Sequence, residues 1–358
     1  MTTDHVTYRF SFGPWNLSEG GDPFGPPVRA PLTFAEKLRI AKQLGFEAMQ
    51  FHDDDAVPNL DSLPPAEIAA QARAMRKLLA DHGLVAEFVA SRLWETPRTI
   101  DGGFTSNDPA ERAYATERAL KGVDIANEMD CHLMVLWLAR EGTYIREAKS
   151  AVTATDRLVE VINKLLAYDQ QLRIVIEPKP NEPMDHAYIP TVGHALALGY
   201  RTSDPSRVGV LIETAHQILA GLDPSDEMGF ALSFSKLWSV HLNDQNGLKF
   251  DEDKSFGQVD LRRAFNQVRV LEENGYGKHG EFVGLDVKAL RTQKKQVSMK
   301  HLANSKQVFS WLLEKVRTFD YKLQSELIKQ RDYEELDRYV NAHLLGCKYL
   351  PSEPVLLD

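Results

Sequence analysis

The stretch LRIVIEPK, Leu172–Lys179, begins as an apolar run and ends in two charged residues, Glu177 and Lys179. A short, nearly continuous apolar run is typical of a parallel strand that is buried on both faces of its sheet. The charged end indicates where the strand leaves the core. A helical pattern follows near Thr191–Leu198, so the stretch is predicted to be the strand of one strand-then-helix unit.

The same unit occurs eight times along the chain. The predicted strands are Thr7–Pro14, Glu47–His52, Leu84–Ala90, His132–Leu138, Leu172–Lys179, Val208–Thr214, Lys236–Asn243 and Gly280–Asp286. The predicted helices are Thr33–Gly45, Pro65–Gly83, Pro109–Met129, Arg146–Asp169, Thr191–Leu198, Glu227–Ser235, Leu261–Asn274 and Lys300–Phe319. Eight such units in succession predict an α/β fold, a closed (β/α)₈ TIM barrel.

The C-terminal segment does not fit into a completed barrel. We predict a barrel catalytic domain over residues 1–319 and a C-terminal helical arm over residues 320–358. Tyr321–Leu345 has a helical pattern and is charged and mostly polar. Two interpretations are open: an arm that contacts a neighbouring subunit, and a surface helix that docks on its own barrel.

Composition excludes several classes of protein. The net charge of −9 argues against nucleic-acid or anionic-membrane partners, which require a basic surface. Cys131 and Cys347 are the only cysteines, which argues against a disulfide framework or a thiolate metal site. The N-terminal residues lack a signal-peptide pattern, and no apolar run approaches the roughly 18 residues of a membrane span. We therefore expect a cytoplasmic protein.

Polar side chains follow the predicted strands, whose carboxyl ends meet at one mouth of the barrel. At or shortly after the strand ends lie His52 and Asp55 for the second strand, Glu177 and Lys179 for the fifth, Glu213 and His216 for the sixth, His241, Asp251 and Asp253 for the seventh, and Asp286 and Lys288 for the eighth. Each alone has an ordinary interpretation as a helix cap, a solvated charge or a hydrogen-bonded core histidine. Their convergence on one mouth is the more specific signal.

Carboxylates crowded at one mouth repel one another unless cations lie between them. Oxygen and imidazole ligands suit hard divalent ions, and the lack of suitable cysteines favours Mg²⁺, Mn²⁺ or Co²⁺. The first metal would lie among Glu177, Glu213, His241 and Asp286, and the second among Glu213, His216, Asp251 and Asp253. We therefore predict two divalent cations, with Glu213 bridging them.

Seven motifs give a more specific comparison. They are DPFG (22–25), HDDD (52–55), DGGFTSND (101–108), IEPKPNEP (176–183), PTVGHALA (190–197), LNDQNGLKFDED (242–253) and VKALRT (287–292). In this order they resemble the xylose isomerases, particularly the shorter class found in actinobacteria, from about residue 8 to about residue 318. The resemblance implies a TIM-barrel aldose–ketose isomerase with two cations per subunit. It also implies a homo-oligomer, a dimer or tetramer, held by C-terminal arms.

The resemblance also implies roles for single residues. His52 would open the sugar ring, Asp55 would orient the imidazole, and Lys179 would bind the C1 oxygen during a metal-assisted hydride shift. Substrate binding would involve Trp15, Phe24, Trp94, Trp137 and Lys288. Of these, Phe24 would enter the site of a neighbouring subunit. Asp53 and Asp54 have no part in this chemistry and are expected to be structural hydrogen-bond acceptors in the loop.

Departures from the family pattern put the substrate in doubt. His241 stands where the family has a carboxylate, and in this it resembles the rhamnose isomerases and ketose 3-epimerases, which have histidine there; Ser239 stands where the xylose isomerases usually have histidine. Trp94 replaces a phenylalanine, Ala90 a threonine and Leu211 a polar residue. An isomerase for a rhamnose-type or other aldose and a ketose 3-epimerase are therefore alternatives. The acidic charge opposes a DNA endonuclease, and the retained His52, Asp55 and Lys179 oppose a non-catalytic relative.

Overall fold

The computed structural model describes residues 5–22, 24–297 and 299–352. Within them, eight parallel strands close into a barrel in which each strand pairs with the next along the chain and the last pairs with the first. The strands are β1 Arg9–Phe12, β2 Ala48–His52, β3 Val85–Ala90, β4 Leu133–Trp137, β5 Arg173–Glu177, β6 Val208–Glu213, β7 Leu237–Leu242 and β8 Phe282–Leu285. The predicted (β/α)₈ TIM barrel is confirmed.

Helices surround the barrel. They are α1 Phe34–Gln43, α2 Asp53–Ala56, α3 Pro65–Asp81, α4 Pro109–Glu128, α5 Ala151–Tyr168, α6 Val192–Tyr200, α7 Thr214–Leu219, α8 Pro224–Ser233, α9 Leu261–Glu273, α10 Lys300–Arg317, α11 Tyr321–Gln330 and α12 Tyr333–Leu345. Local sequence sets several of the helix starts. Thr33 caps α1: its hydroxyl accepts from the Glu36 N–H at 3.3 Å, and the Glu36 carboxylate accepts from the Thr33 N–H at 2.8 Å.

The core has two parts. The larger apolar cluster fills the space between the strands and the surrounding helices. A smaller cluster consists of Phe88, Ala90, Val135, Val175 and Leu211. Phe88, Ala90 and Val135 of this cluster also line the cavity at the barrel mouth described below. Apolar side chains therefore form one wall of that cavity.

The structure contains two short helices that were not predicted, and one predicted helix begins later than expected. The short helices α2 and α7, which directly follow β2 and β6, were not predicted as helices. The helix expected from Arg146 begins at Ala151, where Ser150 caps it, and a single 3₁₀ turn occupies Arg146–Ala148. Each difference lies at the C-terminal end of a strand or at a helix start.

The arm consists of two helices that dock on their own barrel. The helical conformation is interrupted between α11 and α12 at Arg331, which has a left-handed φ of 58°. The Asp320 N–H donates to the Tyr339 hydroxyl at 2.7 Å, and Lys315 Nζ of α10 donates to the His343 carbonyl at 2.6 Å. A contact of this arm with another subunit stays a prediction. Residues 1–4, 23, 298 and 353–358, which the predicted domains and the DPFG motif include, lie outside the described residues.

Among the helices that the structure describes, none combines the length and the apolar composition that crossing a bilayer requires.

Candidate active site

A cavity of about 530 Å³ opens among the C-terminal ends of the barrel strands. Thirteen of the fifteen residues proposed from the sequence line it: Trp15, His52, Trp94, Trp137, Glu177, Lys179, Glu213, His216, His241, Asp251, Asp253, Asp286 and Lys288. Asp55 lies beside His52, with its Oδ2 3.0 Å from His52 Nδ1. Phe24 lies outside the lining, is 79% exposed, and packs edge-on against the Phe250 ring at 5.4 Å.

The first group of metal-type ligands comes from β5, β6 and β7. Donor atoms of Glu177, Glu213 and His241 lie within 4.8 Å of one another. His241 Nδ1 is 3.5 Å from Glu213 Oε2, 3.8 Å from Glu177 Oε1 and 3.8 Å from Asp286 Oδ2. The other oxygen of Asp286, Oδ1, accepts hydrogen bonds from Trp15 Nε1 at 3.0 Å and Asn16 Nδ2 at 2.7 Å. These bonds orient the Asp286 carboxylate toward the group.

The second group shares Glu213 with the first. Donor atoms of Glu213, His216 and Asp251 lie within 4.8 Å of one another, and His216 Nε2 is 3.3 Å from Glu213 Oε1 and 3.2 Å from Asp251 Oδ2. Asp253 lines the same cavity but is not part of this group. Its carboxylate pairs with the Lys288 ammonium and accepts from Asn243 Nδ2 at 3.2 Å.

Burial and crowding set the charge state of these groups. Burial, together with the nearby carboxylates of Asp251 and Asp286, raises the pKa of Glu213 well above its ordinary value. Burial also lowers the pKa of His241, which keeps this imidazole neutral, the form that binds metals. Burial would raise the pKa of Asp251, but the neighbouring Lys179 ammonium outweighs burial and holds the pKa of Asp251 well below its usual range.

Several of the buried polar atoms lack protein partners. Among the described residues, both ring nitrogens of His241, Nδ1 of His216 and Oδ1 of Asp251 have no hydrogen-bond partner. Buried polar groups are normally paired, so unpaired carboxylate and imidazole atoms facing one another call for an ion or water. Oxygen and imidazole donors in this arrangement fit hard divalent cations.

The HDDD motif lies at the junction of β2 and α2. His52 ends β2, and the three aspartates form the first turn of α2, where negative charge is favourable. Asp53 is fully buried and accepts two hydrogen bonds from Arg118 of α4, both at 2.9 Å. Asp54 accepts from Arg118 Nη2 at 3.1 Å and Arg92 Nε at 2.8 Å. As expected from the sequence, these two aspartates anchor the loop.

Aromatic rings enclose His52. The Trp15 ring lies 4.2 Å from the imidazole and the Trp94 ring 5.1 Å from it, and Trp94 also meets Trp137 edge-on at 4.5 Å. Lys179 Nζ donates to Asp251 Oδ2 at 2.8 Å and lies 5.4 Å from the Trp137 ring. The cavity thus has an aromatic side around His52 and a carboxylate-rich side around Lys179.

The predictions from the sequence gave no role to four polar residues in or near the site. Asn16 orients Asp286, and Asn243 donates to both Glu213 and Asp253. Arg92 lines the cavity beside His52. Glu87 is buried inside the barrel, where it accepts from Ser11, Gln50 and Ser239. Asn243 ends the predicted seventh strand and Arg92 lies two residues after the predicted third strand, so both meet the strand-end criterion; a charged residue within the apolar run of β3 was the signal for Glu87.

Comparisons with known proteins agree with the geometry. Residues 38–288 match the family model described as xylose isomerase-like TIM barrel. The chain is 36% identical over 291 residues to a xylose isomerase of Thermus thermophilus, covering 80% of this chain and 74% of that protein.

Two solved structures are similar in fold. A D-tagatose 3-epimerase-like protein aligns with a TM-score of 0.64 at 14% identity, over 86% of this chain and 98% of that one. A xylose isomerase domain protein from Planctomyces limnophilus aligns with a TM-score of 0.58 at 16% identity, over 88% and 100% of the two chains. At these identities the likeness shows the barrel fold alone.

Proposed function

Because the chain belongs to the xylose isomerase-like TIM barrel family and is a sugar isomerase of that family, we propose that it interconverts an aldose and its ketose in a metal-dependent reaction. One observation carries the proposal. Two groups of buried metal-type ligands share Glu213 in the cavity that also contains His52 and Lys179. Simple sugar binding would not require two adjacent sets of carboxylate and imidazole donors.

We propose that these residues hold two divalent cations, Mg²⁺, Mn²⁺ or Co²⁺. Glu177, Glu213, His241 and Asp286 would hold the first, and Glu213, His216 and Asp251, with Asp253 from the same loop, the second. Such cations act as Lewis acids that polarise carbonyl and alkoxide oxygens, which is the assistance a hydride shift between C1 and C2 requires. His241 favours Mn²⁺ or Co²⁺ over Mg²⁺, because a neutral imidazole is a good ligand for Mn²⁺ and Co²⁺ but a poorer one for Mg²⁺.

The chain's own polar groups would bind and orient the sugar. Lys179, 8% exposed and directed into the cavity, would donate a hydrogen bond to the C1 oxygen and stabilise its negative charge. His52, with Asp55 beside it, would take part in opening the cyclic sugar. Lys288, which lines the same cavity, would contribute a further donor to a sugar hydroxyl.

The aromatic side of the cavity would exclude water from the open-chain sugar. Trp15, Trp94 and Trp137 provide apolar surface around His52, and a dry site protects a hydride in transit. Ala90 stands in place of the family's threonine hydroxyl and Trp94 in place of a smaller ring, so this wall is more apolar and more crowded. Xylose or glucose is the default substrate, and an aldose with fewer hydroxyls facing this wall, such as a rhamnose-type sugar, is the alternative.

We further propose a cytoplasmic homo-oligomer in which Phe24 completes the site of a neighbouring subunit. The high exposure of Phe24 beside Phe250 at the protein surface supports this. A mass measurement by light scattering tests the assembly, and Phe24→Ser should weaken sugar binding without changing the fold of the subunit.

The reaction is tested by incubating the metal-stripped protein with Mg²⁺, Mn²⁺ or Co²⁺ and a panel of aldopentoses and aldohexoses, followed by detection of ketose. Lys179→Met, which removes the donor but retains the stem, should lose activity with every sugar. No ketose from any sugar with any of the three ions would refute the proposed isomerase. Conversion of a ketose into its C3 epimer without aldose formation would instead identify a ketose 3-epimerase.

A further inference from the structure

Arg92 contacts every residue of the HDDD motif. Its backbone N–H donates to Asp53 Oδ1 at 3.1 Å, its Nε to Asp54 Oδ1 at 2.8 Å, and its Nη2 lies 3.3 Å from both oxygens of Asp55. The same Nη2 is 2.6 Å from His52 Nδ1, which is closer than the 3.0 Å from Asp55 Oδ2 to that nitrogen. Two groups thus approach Nδ1 of His52, and they require opposite protonation states of that nitrogen.

The protonation state that each group requires follows from whether the group donates or accepts hydrogen bonds. A carboxylate only accepts, so Asp55 requires a proton on Nδ1, whereas a guanidinium only donates, so Arg92 requires a lone pair there. Asp55 does not need the Nδ1 proton. Its Oδ2 already accepts from the His52 backbone N–H at 3.2 Å, and both its oxygens are within reach of Arg92 Nη2. Arg92, by contrast, can satisfy its short contact with His52 only if Nδ1 is unprotonated.

We propose that Arg92 is a positioning residue that holds the neutral His52 with its proton on Nε2. His52 lines the cavity between Trp15 and Trp94, and Nε2 is the ring nitrogen left for a ligand. The imidazole therefore presents an N–H donor, and not a lone pair, to the sugar. Asp55 alone would select the opposite tautomer, with an accepting Nε2.

The inference rests on the proposed function for its catalytic meaning. As a donor, His52 hydrogen-bonds a sugar oxygen but does not remove the proton of the anomeric hydroxyl. During ring opening that proton passes to water, the bond between C1 and the ring oxygen breaks as the C1 carbonyl forms, and water returns a proton to the ring oxygen. His52 orients the sugar in this scheme, and solvent carries the protons.

The tautomer can be measured directly. Nitrogen-15 NMR of histidine-labelled, Mg²⁺-loaded protein at about pH 8.5, where an ordinary imidazole is neutral, distinguishes Nδ1–H from Nε2–H. The spectrum of His52→Gln assigns the His52 signals among the eleven histidines. We expect Nε2–H in the native protein and Nδ1–H in Arg92→Leu, where Asp55 becomes the remaining partner of Nδ1.

Glu95→Gln is the matched control. Glu95 is 63% exposed and accepts from Arg92 Nη1 at 3.2 Å, whereas His52 is contacted by Arg92 Nη2, so loss of the Glu95 charge should leave the tautomer unchanged. Nδ1–H in the native protein overturns the inference, and this measurement does not depend on the folding of any variant. An unchanged tautomer in folded Arg92→Leu overturns it as well.

The result is independent of turnover. If no sugar is isomerised but the tautomer is Nε2–H, the proposed reaction fails and the role of Arg92 stands. If sugars are isomerised and the tautomer is Nδ1–H, the proposed reaction stands and the proposed role of Arg92 fails. A donor role also predicts that His52→Gln, which retains an amide donor, keeps kcat within about tenfold, whereas loss of a catalytic base lowers it by about 10²–10⁴-fold.

Discussion

Replacing Arg118 with methionine tests how the HDDD motif is held. The Arg118 side chain is 7% exposed and binds the fully buried Asp53 through two hydrogen bonds of 2.9 Å. Methionine retains the apolar stem but removes the cation, which leaves Asp53 with the backbone N–H groups of Asp54 at 2.9 Å and Arg92 at 3.1 Å. Removing one member of a buried ion pair costs about 3–5 kcal/mol, so we expect a loss of this size in the free energy of unfolding.

The loss should depend on pH. Burial raises the pKa of Asp53 and the Arg118 guanidinium opposes this, so Arg118→Met moves the folded-state pKa further above the unfolded value of about 3.9. A carboxylate with a raised folded pKa destabilises the fold increasingly as the pH rises from the unfolded pKa through the folded one. The variant should therefore lose less stability at about pH 5 than at about pH 8.

Urea unfolding of the metal-stripped protein at both pH values measures these effects. Arg73→Met is the control, because Arg73 is 57% exposed and its 2.8 Å pair with Glu128 is expected to contribute less than about 1 kcal/mol. The double variant Asp53→Asn/Arg118→Met should recover part of the loss, since the buried charge is gone. If Arg118→Met costs no more than Arg73→Met, or if the double variant is the least stable of all, the ion-pair reasoning is wrong.

Three further predictions concern the cavity. His241→Asp should shift metal preference toward Mg²⁺, measured as the ratio of Mg²⁺ to Mn²⁺ affinity by calorimetry; an unchanged ratio would mean that His241 is not a ligand. Ala90→Thr places a hydroxyl on the apolar wall, and kcat/KM should move toward sugars with a hydroxyl there, by about 5–150-fold for about 1–3 kcal/mol of hydrogen bonding. Removing metal with a chelator should lower the melting temperature, and saturating Mn²⁺ should restore it, because an ion bound only to the folded state stabilises it; identical melting curves would argue against a buried metal site.

The sequence was sufficient for the barrel and for most of the cavity. Parallel strands buried on both faces read as short apolar runs, and β5 and β6 end where Glu177 and Glu213 interrupt those runs. Closure of the barrel then brings these strand ends to one mouth, whatever their separation in sequence. Thirteen of the proposed residues meet in one cavity for this reason.

What the sequence did not reveal depends on short elements and tertiary contacts. The four-residue α2 and six-residue α7 are too short to show a helical period. The break at Arg331 is a left-handed conformation at a residue type that rarely adopts it, so the arm was expected as one helical segment. A single arginine after β3 resembles a solvated surface residue until the structure places Asp53, Asp54 and Asp55 around it.

The charge distribution around the HDDD motif links stability to chemistry. Three consecutive carboxylates would repel one another, but the guanidinium groups of Arg92, from the loop after β3, and Arg118, from α4, each form ion pairs with two of the three. Within the motif, Arg118 contacts Asp53 and Asp54, whereas Arg92 also contacts Asp55 and His52. Loss of Arg118 should therefore reduce stability and leave the His52 tautomer intact, while loss of Arg92 should change the tautomer. Variants of the two arginines therefore distinguish the structural role of Asp53 and Asp54 from the role of His52 in contacting the sugar.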